Sequence, residues 1–464
     1  MLFNSFHFIY FILVVVPVFY VLPQKYRQLF LLLASYYFYM CWNYSYIILI
    51  LFTTTTSYIA SLSIEKNHNK KLKKVYLYGS ISASLGILFF FKYYNFFISN
   101  INQISGSKFI FFNYLLPVGI SFYTFETLSY TIDVYKGKLH AERKFLIYAL
   151  FISFFPKLVA GPIERSENLL PQFHKNHYIK ASNIIQGTKY VIIGFFMKLV
   201  IADRLSIYVD AVYNNVKGHH GLTFWVSTIC FSFQILCDFA GYSTIAKGVA
   251  KWLDYDLMVN FRRPYLAFSF SDFWKRWHIS LSSWFRDYLY IPLGGNRKGR
   301  LRQHINNFIT FLISGFWHGA NWTFIVWGGL HGAFLSIENI LKLQKKQSQV
   351  VAPFRFIKTG VLFIAVSFAW IFFRANTITD AFYIIQSSTQ IDRDIFFDSS
   401  TLFYGLTGVL LLITMDVYVE RKGEDNILQN EVISFPVVIL FSFLIVSIFY
   451  MGVFNGGQFI YFQF

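Results

Sequence analysis

The sequence predicts an all-α polytopic membrane protein, and three observations carry that expectation. Of its 464 residues, 55% are apolar and 21% aromatic but only 14% are charged, whereas a water-soluble globular chain carries roughly a quarter charged residues. Mean hydropathy is +0.46. Apolar runs close to the about 20 residues that cross a bilayer's hydrocarbon core recur along the chain. The same proportions exclude disorder. Lys and Arg number 41 against 23 Asp and Glu, a net charge of +18 that must gather on whatever meets water. Such a surface suits anionic lipid headgroups, phosphorylated co-substrates or an acidic partner. Nucleic acid fits poorly, because the cations lie in short runs between apolar spans.

Taken in order, the candidate spans are 6–22, 29–43, 45–63, 75–99, 115–133, 145–160, 184–201, 222–239, 305–319, 322–341, 357–374, 402–418 and 434–454. Thirteen is an upper bound, since several are short or interrupted by Pro or Gly, and roughly nine to twelve true crossings are expected by length. Other runs are expected to lie in-plane or re-enter around a central tunnel. The first run lacks a basic flank and a small-x-small cleavage site, so it reads as a retained anchor. Lys25, Arg27 and the lysines from Lys66 to Lys74 mark cytoplasmic loops by the positive-inside rule, which places the N-terminus outside. The lysine run itself reads as a solvated face. Cys41, Cys230 and Cys237 sit in apolar segments without ligand spacing, so neither a disulfide framework nor a metal site is expected. No repeat or separate soluble region interrupts the pattern, and residues 1–464 read as one integral-membrane domain.

Residues 240–303 depart from the apolar pattern. From Lys251 to Gln303 there are ten cations and four acids, a local balance of +6. With Trp and Phe interleaved, this segment reads as cytoplasmic and interfacial. At 100° per residue, Phe273, Trp274, Trp277, Leu281, Trp284, Phe285 and Tyr288 fall within one arc of about 120°. This predicts one amphipathic in-plane helix over 273–288, capped by Ser271 and Asp272 and ended by Pro292, Gly294 and Gly295. His278 lies at the border of the apolar arc. Its two readings are an anchor bonded to a carbonyl and a group lining a cytoplasmic entrance. Lys275, Arg276 and Arg286 divide similarly, between lipid phosphates and the phosphates of a co-substrate.

His318 closes the run Ile305–Gly319, and an ionisable group inside an apolar segment is a functional-site hypothesis by default. Gly315 and Gly319, four residues apart, allow another helix or a substrate chain close beside it. Asn321 can cap the next helix, so His318 should stand at a break between two segments, and such breaks at membrane depth line cavities. Burial favours a neutral imidazole able to accept a proton from a hydroxyl. The competing reading is a packing histidine bonded to a carbonyl freed at Gly319. His331, between Gly328 and Gly332, is a weaker candidate because those glycines are explained by helix packing. Nucleophile-elbow, Walker and zinc-protease motifs are absent from the sequence.

These residues carry a resemblance. Asp272–Leu281, Trp284–Asn296 and Phe316–Trp322 resemble the membrane-bound O-acyltransferase family, with support from Leu116–Phe125, Phe155–Arg165, Asp238–Ser243 and Phe459–Phe464. The likeness is strongest to its alginate O-acetyltransferase branch and covers nearly the whole chain. It implies that His318 is the family's catalytic histidine and that His278, forty positions earlier, is its second characteristic histidine. It further implies a tunnel with the acyl donor on the cytoplasmic side and the acceptor outside. The chain departs from the usual pattern at Thr244 and Lys247, where relatives often carry Asp and an apolar residue.

The reading that follows is transfer of an acyl group, acetyl first, from acetyl-CoA or another acyl thioester to a hydroxyl of an exported or cell-surface polysaccharide. No tightly bound cofactor is expected. Lys275, Arg276, Arg262 and Arg263 would attract the donor's phosphates, and a periplasmic acyltransferase- or esterase-like protein would be a partner in the bacterial inner membrane. Rival readings are transfer of D-alanine from a carrier protein to teichoic acid and, from a different class, a transporter or flippase.

Overall fold

The computed structural model describes residues 1–112, 114–341, 352–390, 395–422 and 434–454. The terminal stretch Phe459–Phe464 lies outside them. Among the described residues every regular element is a helix, as expected. Among the described residues five helices are long and apolar enough to cross a membrane, Tyr44–Lys66, Lys70–Ser105, Leu222–Trp252, Phe354–Arg374 and Ser399–Lys422, with Phe6–Val21 and Phe435–Met451 as shorter apolar helices. The other apolar runs form shorter or more polar helices, because apolar content alone does not separate a crossing helix from one buried in protein. The chain divides into two units, Met1–Val191 with Ser243–Met258, and Ile192–Tyr242 with Val259–Phe464.

In the first unit, α1 (Phe6–Val21) and α2 (Gln24–Met40) are separated at Pro23. Arg27 closes the turn by donating to the carbonyls of Leu22 and Tyr20, both at 2.9 Å. Helix α3 (Ile47–Lys66) buries the small side chains Thr53, Thr54, Ser57, Ala60 and Ser61, which lets it pack closely against α4 (Lys70–Leu88) and α6 (Ile120–Tyr135). A π-turn leads from α4 into α5 (Tyr94–Ser105). The run predicted over 145–160 is broken at Phe154, before Pro156, into α7 (Phe145–Ser153) and α8 (Phe155–Leu158). Helix α9 (Ser166–Phe173) follows. A charged node is buried in this unit: Lys157 pairs with Glu126, whose other oxygen accepts the Glu164 backbone N–H at 3.1 Å.

The boundary between units falls within α10 (Ala181–Phe195) and again within α12 (Leu222–Trp252). Helix α12 runs thirteen residues beyond the predicted end at 239 and takes up the start of the basic segment. A π-turn at Phe196–Ala202 joins α10 to α11 (Asp203–Tyr213) and carries Lys198. Its buried ammonium sits 2.6 Å from Asp238 and 2.8 Å from Asp203. The rest of the second unit is α13 (Phe270–Arg276), α14 (Ile279–Phe285), α15 (Arg300–His318), α16 (Trp322–Ile340), α17 (Ala352–Arg374), α18 (Ile378–Ser387), α19 (Ser399–Lys422) and α20 (Phe435–Met451).

The single in-plane helix predicted over 273–288 is instead α13 and α14, broken at Trp277–His278 and followed by a π-turn at Arg286–Tyr290. The cause is non-local. The Arg262 N–H donates to the Arg276 carbonyl at 2.9 Å, and the Ile279 N–H donates to the Asn260 carbonyl at 2.8 Å. Groups that a continuous helix would use internally are therefore engaged by residues 260–262. The apolar pattern survives piecewise, with Phe273, Trp277, Leu281, Trp284 and Phe285 all buried. Ser269, rather than Ser271 or Asp272, caps α13, its hydroxyl accepting the Asp272 N–H at 3.1 Å. The Glu338 carboxylate also accepts from Phe270 and Ser271 at that helix end.

Helices α15 and α16 form a close hairpin through glycine. A Cβ on Gly315 would lie 2.2 Å from the Phe324 carbonyl oxygen, and one on Gly328 would lie 2.2 Å from that of Phe311. Both contacts are with backbone, so the helices must separate to admit a methyl group. Gly328→Ala is expected to destabilise the protein by about 1–3 kcal/mol, as overpacking does, and to lower its unfolding temperature in detergent. Gly329→Ala, where the nearest atom is the Leu312 Cδ2 at 3.5 Å, should match wild type in the same scan.

Candidate active site

The second unit brings His278 and His318 to one indole, that of Trp317. His318 is the last residue of α15 and is 3% exposed. Its ring lies 4.9 Å from Trp317, 5.0 Å from Trp327 and 5.3 Å from Phe373, centroid to centroid. The expected break follows immediately. Gly319 is extended, and the Asn321 Oδ1 accepts the Thr323 N–H at 3.1 Å to start α16. The Asn321 amide also donates to the Asn376 carbonyl at 3.1 Å, which ties the break to the end of α17.

His278 stands at the other break in a left-handed conformation, φ 42° and ψ 56°. For a residue other than glycine this conformation costs roughly 1–2 kcal/mol and persists only where the surroundings enforce it. Asn260 supplies that enforcement. Its Oδ1 accepts from the Ser280 N–H at 3.2 Å and the Ser280 hydroxyl at 2.9 Å, and it meets His278 Nδ1 at 3.2 Å. A carboxamide oxygen carries no proton and can only accept, so the His278 Nδ1 is the donor in this contact and carries the ring proton. Burial pushes the His278 pKa down to about 3, which keeps the ring neutral. The ring packs edge-on against Phe239 at 4.4 Å and reaches Trp317 at 6.4 Å.

The predicted cations separate into two groups. Arg263, itself left-handed at φ 48°, donates to Glu420 at 2.9 Å, as Arg276 does at 3.0 Å, while Arg355 reaches the same carboxylate at 3.4 Å. Arg276 also holds Asp272 at 3.0 Å. Two of the four expected donor-binding cations are thus engaged with a carboxylate that lies 144 residues from Arg276 in sequence. Arg262 is exposed. Lys275 and Arg286 line a cavity of about 460 Å³, with Arg286 paired to Asp287 at 2.8 Å.

That cavity is bounded on one side by α13 and α14, through Ser271, Trp274, Ile279 and Ser283, and on another by Leu335 and Asn339 of α16. Helix α15 contributes Gln303, Asn307, Thr310 and Ser314, a polar stripe at helical spacing. His318 continues the stripe one turn beyond Ser314 but is not itself a lining residue. The sequence reading missed three things here. Asn260 lies in a stretch without periodicity, and Glu420 pairs only across long sequence separation. The polar stripe of α15 was legible as a run of i, i+4 and i+7 polar positions inside an otherwise apolar span.

Residues 140–379 match the membrane-bound O-acyltransferase family profile. The chain is 35% identical to the peptidoglycan O-acetyltransferase of Helicobacter pylori, over 84% of this chain and 80% of that protein. It is 37% identical to the Pseudomonas aeruginosa protein named "Probable alginate O-acetylase AlgI", over 83% of this chain and 74% of that one. The chain belongs to the membrane-bound O-acyltransferase family. It is an integral membrane O-acyltransferase, in line with the resemblance its motifs carry. Similarity to the teichoic acid D-alanyltransferase of Bacillus subtilis is lower, 27% over 56% of this chain and 68% of that protein.

Asn260→Ala in this acyltransferase removes the acceptor that fixes His278 and Ser280. Leaving buried donors unmatched costs about 1–3 kcal/mol, so the variant should unfold at a lower temperature in detergent. Its acyl transfer should fall further than its folded fraction does, measured on the folded material at a temperature where both proteins are intact.

Proposed function

We propose that this acyltransferase moves an acetyl group from a cytoplasmic thioester, acetyl-CoA or a related acyl thioester, to a hydroxyl of an exported or cell-surface polysaccharide at the bacterial inner membrane. The acceptor class is supported by the two relatives, whose names place acetyl on peptidoglycan and alginate, and which match over four-fifths of the chain. The observation that carries the chemistry is the position of His318. It ends a helix whose polar stripe lines a cation-bearing cavity, and it shares Trp317 with a second buried histidine.

In this reading His318 is the base. Its ring nitrogen accepts the hydroxyl proton as the oxygen attacks the thioester carbonyl carbon. The C–O bond forms, the C–S bond breaks, and the departing thiolate takes the proton back from the imidazolium. The net reaction is alcohol plus thioester to ester plus thiol, with no proton gained or lost. A thioester needs little further activation, so the protein's contribution is alignment and exclusion of water, and alignment alone can supply several kcal/mol. His278, held neutral by burial and oriented by Asn260, positions the donor. Lys275 and Arg286, both exposed and lining the cavity, attract its phosphates, whereas Arg263 and Arg276 fix the loop through Glu420. A periplasmic protein that hands the group onward to the polymer fits the same scheme.

His318→Ala should lower acetyl transfer to polysaccharide by about 10²-fold or more, the low end of what general-base removal costs, while leaving insertion and unfolding temperature near wild type. Transfer of radiolabel from acetyl-CoA in membrane vesicles measures it, and wild-type transfer in that variant would end the assignment. Lys275→Ala should instead raise the KM for acetyl-CoA several-fold with kcat little changed.

A further inference from the structure

His331 is a buried ionisable group that the mechanism above leaves unused and that no ion pair accounts for among the described residues. It sits on α16, 0% exposed, and neither ring nitrogen has a hydrogen-bond partner among the described residues. A neutral imidazole offers one donor and one acceptor, and burying such groups unmatched is costly. The neighbours do not relieve the deficit; they add to it. Trp274 lies 4.9 Å from the His331 ring and Trp327 lies 5.0 Å from it, and both indole nitrogens are likewise buried without a hydrogen-bond partner among the described residues. Phe273, Phe311 and Phe334 add only apolar rings, and Trp370, 6.3 Å away, already donates its indole N–H to the Tyr265 hydroxyl.

Three donors and one acceptor therefore cluster where helix packing alone would place none, and native structures rarely leave such groups unmatched. Their position links the two parts of the site. Trp274 and Phe311 line the cavity, as does Leu335, one turn along α16 from His331. On the far side Trp327 touches His318 at 5.0 Å. The unmatched groups thus lie between the cavity that carries Lys275 and the imidazole at the helix break.

We propose that His331 is a positioning residue that, with the indole N–H groups of Trp274 and Trp327, binds the uncharged carbonyl- and amide-bearing part of the acyl donor. The ligand's carbonyl oxygens accept from the two indoles, and a ligand N–H donates to the lone pair of His331. Trp274, being part of the cavity wall, turns aside to admit the ligand and then closes on it. His331 takes no proton and touches no reacting atom. This assignment rests on the reading that the cavity receives the donor, but not on His318 being the base.

The test reads binding apart from chemistry. In the full-length protein carrying His318→Ala, the Kd for acetyl-CoA is measured by calorimetry in detergent, and again after adding His331→Phe, which preserves an aromatic ring in an aromatic surround while deleting both nitrogens. A weakening of about three- to tenfold is expected, the size of one lost hydrogen bond. Trp274→Phe should act in the same direction. In the otherwise wild-type enzyme, His331→Phe should raise the KM for acetyl-CoA by a similar factor with kcat and the acceptor KM unchanged, which a merely structural defect would not produce. Unchanged Kd and KM in His331→Phe protein that elutes and unfolds like its parent would overturn the proposal, as would failure of the His318→Ala protein to bind acetyl-CoA at all. Should His318→Ala retain transfer, the base assignment fails while the His331 result still decides this one.

Discussion

A helix interrupted in apolar surroundings is stable only where other groups take up the peptide N–H and C=O it frees, and the second unit supplies such groups at both of the breaks that carry its site histidines. Each interruption frees peptide groups that hydrocarbon cannot satisfy. Asn260 answers for the break at Trp277–His278, using both its backbone carbonyl and its side-chain oxygen. Asn321 answers for the break after His318, capping α16 and holding the Asn376 carbonyl. The two histidines stand where they do because these two asparagines make the breaks tolerable. The close α15–α16 hairpin then sets the depth of His318, since the contacts at Gly315 and Gly328 leave no slack between the helices.

Charge is handled by the same logic. Among the described residues each unit holds a buried lysine against carboxylate, Lys157 against Glu126 in the first and Lys198 against Asp203 and Asp238 in the second. Removing one partner of such a pair typically costs about 3–5 kcal/mol, because it strands a buried charge. These nodes are therefore structural commitments. Glu420 plays a comparable part nearer the surface by collecting Arg263, Arg276 and Arg355. The strongly basic composition consequently overstates how much positive charge is available to a ligand. Part of it is consumed in holding the loop that carries His278, and the cations that line the cavity are Lys275 and Arg286.

Local features were legible in the sequence and non-local ones were not. Gly315, Gly319 and Asn321 around His318 announce a break, and the structure has one there. The aromatic arc from Phe273 to Tyr288 identified five buried side chains, with Trp274 and Tyr288 only half-buried, but suggested one continuous helix. Its interruption depends on residues 260–262, which no periodicity within the arc can reveal. For the same reason Arg263 and Arg276 read as ligand-binding cations until Glu420 was placed against them. The thirteen apolar runs anticipated the helical architecture. Runs such as 145–160, however, are divided by proline and buried in protein, and hydropathy does not distinguish that environment from lipid.

In the proposed reaction the donor lies along the polar stripe of α15 and ends at His318. The most direct measurement places a cysteine at Ser314, the last lining residue before His318, in a chain whose exposed Cys41 has been replaced by serine. The rate of labelling by a small polar maleimide is then followed with and without saturating acetyl-CoA. Ser314→Cys should be labelled in the free enzyme and strongly protected by acetyl-CoA. Equal labelling in both conditions, in protein that still turns acetyl-CoA over, would contradict that placement of the donor.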